Sequence, residues 1–121
     1  MEKFIRVTEP TVKGQNPRQT IIRKNAVAYI RLGDKVNNPS VIVFQSGAIR
    51  TITNSDRALV ETFVNREDFI QGTEFGLDTI LFINPLAIET IVVETIGEGK
   101  YKTTIFFNHQ TGVIIDQNLE I

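Results

Sequence analysis

Residues 79–95, read TILFINPLAIETIVVET, hold the densest apolar material in the chain. Ile80, Leu81, Phe82 and Ile83 form one unbroken run of β-formers; Leu86, Ala87, Ile88, Ile91, Val92 and Val93 supply a second apolar stretch. Short apolar runs of this kind fit strands covered on both faces, or strands at the centre of a small barrel. Asn84-Pro85 separates the two. Proline has no N–H and drives the residue before it into an extended conformation. The stretch therefore predicts two strands meeting at a corner at Asn84-Pro85, with other segments packed on them.

Working outward, residues 54–64 read as the one helix. Asn54 or Ser55 caps it, Asp56 suits its positive N-terminal end, and Ala58, Leu59, Val60, Phe63 and Val64 fall on one stripe. Residues 65–76 (NREDFIQGTEFG) are polar and glycine-containing, and read as a structured loop, with up to one helical turn, anchored by Phe69 and Phe75. Upstream, residues 19–23 and 26–32 read as strands. In the second, strict alternation puts Ala26, Ala28, Ile30 and Leu32 on one face and Val27, Tyr29 and Arg31 on the other. Residues 41–53 read as a hairpin about Ser46-Gly47. A short N-terminal strand (1–7) and an arm (8–18, with Pro10, Gly14 and Pro17) precede these, the arm packing on the sheet or reaching a neighbouring subunit. Downstream, Ile96 to Lys100 is a turn, and residues 101–108 and 113–116 form a second hairpin.

The expected fold is a single α+β domain over residues 1–121, mainly antiparallel β. It has eight to ten strands in a small sheet or barrel-like arrangement and one short helix near 55–64. Ile22, Ile30, Ile42, Phe44, Leu59, Phe63, Ile80, Phe82, Ile88, Ile91, Ile105 and Phe107 are the expected core. The two halves also look alike. Residues 22–30 (IRKNAVAYI) align with 83–91 (INPLAIETI), Ile42-Val43-Phe44 with Ile105-Phe106-Phe107, and Gly47-Ala48-Ile49 with Gly112-Val113-Ile114. This predicts a two-fold internal repeat of hairpins with units 19–53 and 79–116, the helix lying between.

Composition narrows the chemistry. At 121 residues the chain can bury one real core. It has no cysteine, hence no disulfide, thiolate metal site or thiol nucleophile. No apolar run nears the roughly 18 residues that cross a membrane, and the N-terminus lacks the apolar region of a signal peptide. A cytoplasmic protein, or a virion component if the chain is phage-derived, is expected. The formal net charge of −1 conceals a split: residues 1–66 carry eleven Lys or Arg against five Asp or Glu, whereas residues 67–121 carry two against nine. Such asymmetry fits a chain whose halves neutralise each other, complementary faces for assembly, or a basic surface for nucleic acid.

Catalytic, metal and cofactor sites are not expected. His109 is the only histidine and sits in a predicted turn, without a nucleophile or orienting partner placed beside it. Glu67, Asp68, Glu74 and Asp78 form the best acidic cluster but lack the spacing of a calcium loop. The glycines are scattered and form no phosphate loop. Candidate interaction residues are Arg23, Lys24, Arg31, Lys35, Arg50 and Arg57 on the basic side, with Glu67, Asp68, Glu74 and Asp78 on the acidic side.

The layout of residues 19–116, with Asp56 to Phe63 (DRALVETF) resembling an L-x-x-L-E helix and Ile83 to Ile88 (INPLAI) resembling a V-N-L-x-x-I step, is similar to the LytTR-type DNA-binding domain of bacterial response regulators. That resemblance implies a DNA-binding or regulatory module. The region matching the family's basic F-x-R-x-H-R-S stretch, Phe69 to Phe75, contains no Arg and no His. Each half also resembles the short FlbD-type β proteins, in which an I-N-x-x-x-I-x-x-I strand precedes a hairpin. The leading expectation is a non-catalytic structural or interaction protein, a small subunit of a larger assembly, whose basic half meets the acidic half of a neighbouring copy. The LytTR-like module is the alternative.

Overall fold

The computed structural model describes residues 4–9, 13–16, 18–33, 39–52, 57–65, 69–108 and 110–119. It is mostly antiparallel β, in three sheets, with one short helix. In chain order the strands are β1 (Phe4–Glu9), β2 (Arg18–Arg23), β3 (Val27–Arg31), β4 (Ser40–Phe44) and β5 (Ile49–Ile52). Helix α1 (Arg57–Asn65) follows, then β6 (Ile70–Thr73), β7 (Ile80–Ile83), β8 (Ile88–Gly97), β9 (Lys100–Phe107) and β10 (Gln110–Ile115). A five-stranded sheet in the order β5-β4-β3-β7-β6 stands between a two-stranded sheet, β1-β2, and a three-stranded one, β10-β9-β8.

Both faces of the central sheet are covered, so the molecule has two cores. Ile30, Ile42 and Phe82 point to one side, where they meet Ile5 and Val7 of β1, Ile22 of β2, and Val60 and Val64 of α1. Tyr29, Val43, Leu81 and Ile83 point to the other, onto Ile105, Phe107, Val113 and Ile115 of the β8–β10 sheet. Tyr29 stacks on Phe107 with ring centroids 5.3 Å apart. The two central strands, β3 and β7, are buried on both faces, which is why their sequences are apolar without alternation.

The Asn84-Pro85 corner is present and has an identifiable mechanism. Pro85–Ala87 forms one 3₁₀ turn, with Pro85 where no N–H is required. The buried Asn84 side chain accepts from the Leu86 N–H and donates to the carbonyl of Val27, fastening the corner to β3. Beyond the corner the expectation of a doubly covered strand fails. β8 is an edge strand, with Ile88 and Ile91 half-buried and Val92, Val93 and Ile96 exposed. It also runs on to Gly97, through the first part of the expected turn.

Other expectations are corrected in detail. Residues 70–73 form β6, not a loop; Gly72 hid it, being a poor strand former. Glycine suits close packing there, since a Cβ would stand 3.1 Å from Ile115 Cγ2, which would have to give by a few tenths of an ångström. In β3 the pairing slips between Val27 and Tyr29, opposite Phe44 and Val43, so two steps on β3 face one on β4. This bulge breaks strict alternation: Val27 joins Ile30 and Leu32 in one core, while Ala28 and Tyr29 both face the other. On α1, Val60 and Val64 are buried but Ala58 is exposed, and the proposed caps at 54–56 lie outside the described residues. Of the expected core, Ile22, Ile30, Ile42, Phe82, Ile105 and Phe107 are buried, and Phe44, Ile80, Ile88 and Ile91 are partly so. The side chains of Leu59 and Phe63 lie outside those described. The N-terminal strand is docked: β1 pairs with β2 along its whole length, and Ile5 and Val7 are buried in the core shared with the central sheet.

One construction occurs twice. Lys24–Ala26 and Pro85–Ala87 are both 3₁₀ turns, 61 positions apart, each entered from an extended residue and closed by the same backbone bond. In β3–β4, Val27 opposes Phe44, Tyr29 opposes Val43 and Ile30 opposes Ile42. In β8–β9, Ile88 opposes Phe107, Thr90 opposes Phe106 and Ile91 opposes Ile105, with the bulge at the same place. The bond from Gln45 N–H to the Ala26 carbonyl recurs as Asn108 N–H to Ala87. Ile5 opposite Ile22 on β1–β2 recurs as Ile70 opposite Ile83 on β6–β7. In the last hairpin Arg50 faces Ile42 as Val113 faces Ile105, so Arg50, not Ala48, corresponds to Val113. The recurrence covers β1–β5 and β6–β10.

Gly112 offers a sharp check on this packing. A Cβ there would lie 1.8 Å from the Ile105 carbonyl oxygen, and backbone cannot give way as a side-chain tip does. Gly112→Ala is expected to cost about 3 kcal/mol in urea unfolding, the upper range for overpacking. Gly14→Ala, with open space around its Cβ site but a φ of +91°, isolates the backbone penalty alone and should cost about 1 kcal/mol.

Candidate functional site

Among the described residues, the fold joins two of the candidates, Arg31 and Glu74, in an ion pair. Arg31 ends β3 on the central sheet, and Glu74 follows β6 at the start of the tight turn before β7. Across 43 positions, Arg31 Nε and Nη2 donate to the two Glu74 carboxylate oxygens at 3.0 and 2.9 Å, a bidentate fork. The guanidinium also lies 5.7 Å from the Tyr29 ring centroid. Burial acts to lower the Arg31 pKa; the hydrogen bond and charge of Glu74, with Tyr29, outweigh it and hold the pKa above its ordinary value. Arg31 is thus charged throughout ordinary solution conditions. Its partner is part of the backbone scaffold: Glu74 N–H donates to Thr79, and the next N–H, of Phe75, donates to Ile114 of β10.

Beside this pair is an open cleft of about 730 Å³, bordered by Leu32, Gly33, Val41, Arg57, Asp78 and Ile80. Arg57, on the first turn of α1, donates to the Gly33 carbonyl at 2.6 Å and lies 3.9 Å from Glu61. Asp78 is exposed in a left-handed conformation, φ 57°, in the turn leading to β7. Both guanidiniums at the cleft are therefore engaged by groups of the chain itself. Elsewhere, Lys24 lies over the Phe69 ring at 5.2 Å, while Arg23 and Arg50 are exposed on β2 and β5. Lys35, Glu67, Asp68 and His109 lie outside the described residues. Among the described residues no cluster of three His, Cys, Asp or Glu could hold a metal ion, and no helix is long and apolar enough to cross a membrane.

The larger surface feature escaped sequence reasoning. β8 presents ten residues along a sheet edge, with Val92 and Ile96 44% and 51% exposed, Glu94 between them and Glu89 nearer the corner. On β2, also at a sheet edge, Ile21 is 59% exposed among Arg18, Arg23 and Gln19. The signal was in the sequence, as Glu89, Thr90 and Glu94 interrupt the second apolar stretch where none interrupts the first. Compared with protein-family models, with curated proteins and with solved structures, the chain matches none.

The Arg31–Glu74 pair is more than a third exposed on the arginine side, with side-chain exposures of 37% and 14%. Solvent screening limits such a pair to about 1 kcal/mol. A double-mutant cycle with Arg31→Met and Glu74→Gln, read by urea unfolding, should return a coupling of about that size, decreasing in high salt.

Proposed function

We propose that the protein is a non-catalytic subunit of a larger assembly and acts through protein–protein contacts. The observation that carries this reading is β8: a ten-residue edge strand with Val92, Val93 and Ile96 exposed. An open strand edge offers a row of backbone donors and acceptors, and folded proteins ordinarily blunt or cover one that is long and apolar. Here the edge carries apolar side chains and acids of one sign, a combination that favours addition of a strand bearing bases. The cleft beside Arg31 and Arg57 lends no comparable support to catalysis. Its described cations, Arg31 and Arg57, are satisfied internally, and a reaction site needs groups free to engage a substrate.

Light scattering across protein concentration tests the reading. In low salt, a mass that is a multiple of 13.7 kDa is expected, falling toward a single copy as salt rises. A mass of one copy at every concentration and salt would overturn self-assembly.

A further inference from the structure

The internal junction of the chain is a template for an external one. β3 receives β7 along one edge, antiparallel, with Tyr29 opposite Ile83, Ile30 opposite Phe82 and Arg31 opposite Leu81. The Asn84 N–H bonded to the Ala28 carbonyl, and the Leu32 N–H bonded to the Ile80 carbonyl, extend that pairing at either end. β8 is the counterpart of β3: it leaves the same 3₁₀ turn, carries the same bulge and pairs with its hairpin partner in the same register. β2 is the counterpart of β7: it enters that turn and pairs in the same way with the strand before it. β3 and β7 join each other. Among the described residues, β8 and β2 each end a sheet. Their residues pack in cores on opposite faces of the central sheet, so they do not meet within one chain.

We propose that β8 of one copy pairs, antiparallel, with β2 of a second copy of this chain, in the register of the internal junction; this rests on the assembly reading above. Each strand is displaced from its counterpart by 61 positions, Val27 to Ile88 and Ile22 to Ile83. The transposed register puts Thr90 opposite Ile22, Ile91 opposite Ile21 and Val92 opposite Thr20. The Arg23 N–H then donates to the Glu89 carbonyl, and the Val93 N–H to Gln19, as Asn84 and Leu32 donate inside the chain.

Two observations that did not enter this construction agree with it. The first is charge: continuing the register sets Glu89 opposite Arg23 and Glu94 opposite Arg18, where directly opposed unlike charges attract. Pairing β8 with another β8, or β2 with another β2, brings together strands of like charge, so the contact is between unlike edges. The second is burial. Ile21, 59% exposed, occupies the position of Phe82, which is 2% exposed at the internal junction. Inserted beside Ile91, Ile21 closes the open end of the second core as Phe82 closes the first. Contacts between unlike surfaces continue from copy to copy, giving a ring if the rotation closes and a filament if it does not.

The natural chain contains no cysteine, so an engineered disulfide reports the register directly. Positions 20 and 92 fall between hydrogen-bonded pairs, where opposed Cα atoms stand about 4.5 Å apart, within disulfide reach. Thr20→Cys and Val92→Cys proteins, mixed under mild oxidation, are expected to give a covalent dimer of the unlike variants, with little from either alone. Thr20→Cys mixed with Glu94→Cys, slipped two residues on the same face, should yield roughly tenfold less. Glu89→Arg should weaken association by roughly tenfold, and adding Arg23→Glu in the same chain should restore it. An oligomer that forms no disulfide between positions 20 and 92 would overturn this pairing while leaving assembly intact. A monomer at every concentration would remove both.

Discussion

The pairing of β3 with β7 is the constraint on which the rest of the structure depends. Every other layer is built against one face or the other of these two strands. Ile30 and Phe82 serve the core shared with β1, β2 and α1; Tyr29 and Ile83 serve the core shared with the β8–β10 sheet. Burying one such side chain contributes about 1.5–3 kcal/mol, so these four outweigh the partly exposed Arg31–Glu74 pair several times over. The ion pair has a different part. A bidentate fork tolerates little displacement, so it ties the end of β3 to the turn between β6 and β7.

The same construction, built twice, ends in two different surfaces. At the first copy the outer edge of β3 is occupied, and Ala28, Tyr29, Ile30 and Arg31 meet Asn84, Ile83, Phe82 and Leu81 of β7. At the second, Glu89 stands in the place of Ala28, and Arg23 on β2 stands in the place of Asn84. An edge that is permanently covered can be wholly apolar. An edge that meets water before it meets a partner benefits from charge, which hinders indiscriminate strand addition and selects the strand of opposite sign. The uneven distribution of charge between the halves fits the proposed pairing as well as internal neutralisation, of which Arg31–Glu74 is the described example.

Much of the fold was legible because its signals are local. A proline after a buried asparagine marks a corner wherever it occurs, and Val60 and Val64 lie one helical turn apart by spacing alone. β6 was not legible. Ile70-Gln71-Gly72-Thr73 has little strand propensity, and it is a strand because β7 offers an edge, with Ile115 packed closely over Gly72. The bulge in β3 was hidden for a related reason, since an extra residue in a strand leaves no mark on apolar composition. The candidate site was less legible still. Arg31 and Glu74 stood among ten charged residues of equal standing, and only chain topology places them in contact.

The sequence by itself determined a strand-rich chain with a corner at Asn84-Pro85, one amphipathic helix, and a basic half followed by an acidic half. These follow from proline stereochemistry, β-branched side chains and helical periodicity, which act over a few residues. Tertiary structure alone decided which strands flank each apolar stretch. Ile80 to Ile83 and Ile91 to Val93 are similar in composition, yet the first is at the centre of a sheet and the second at an edge. Burial of a strand depends on what flanks it, and those neighbours come from parts of the chain that no local pattern identifies.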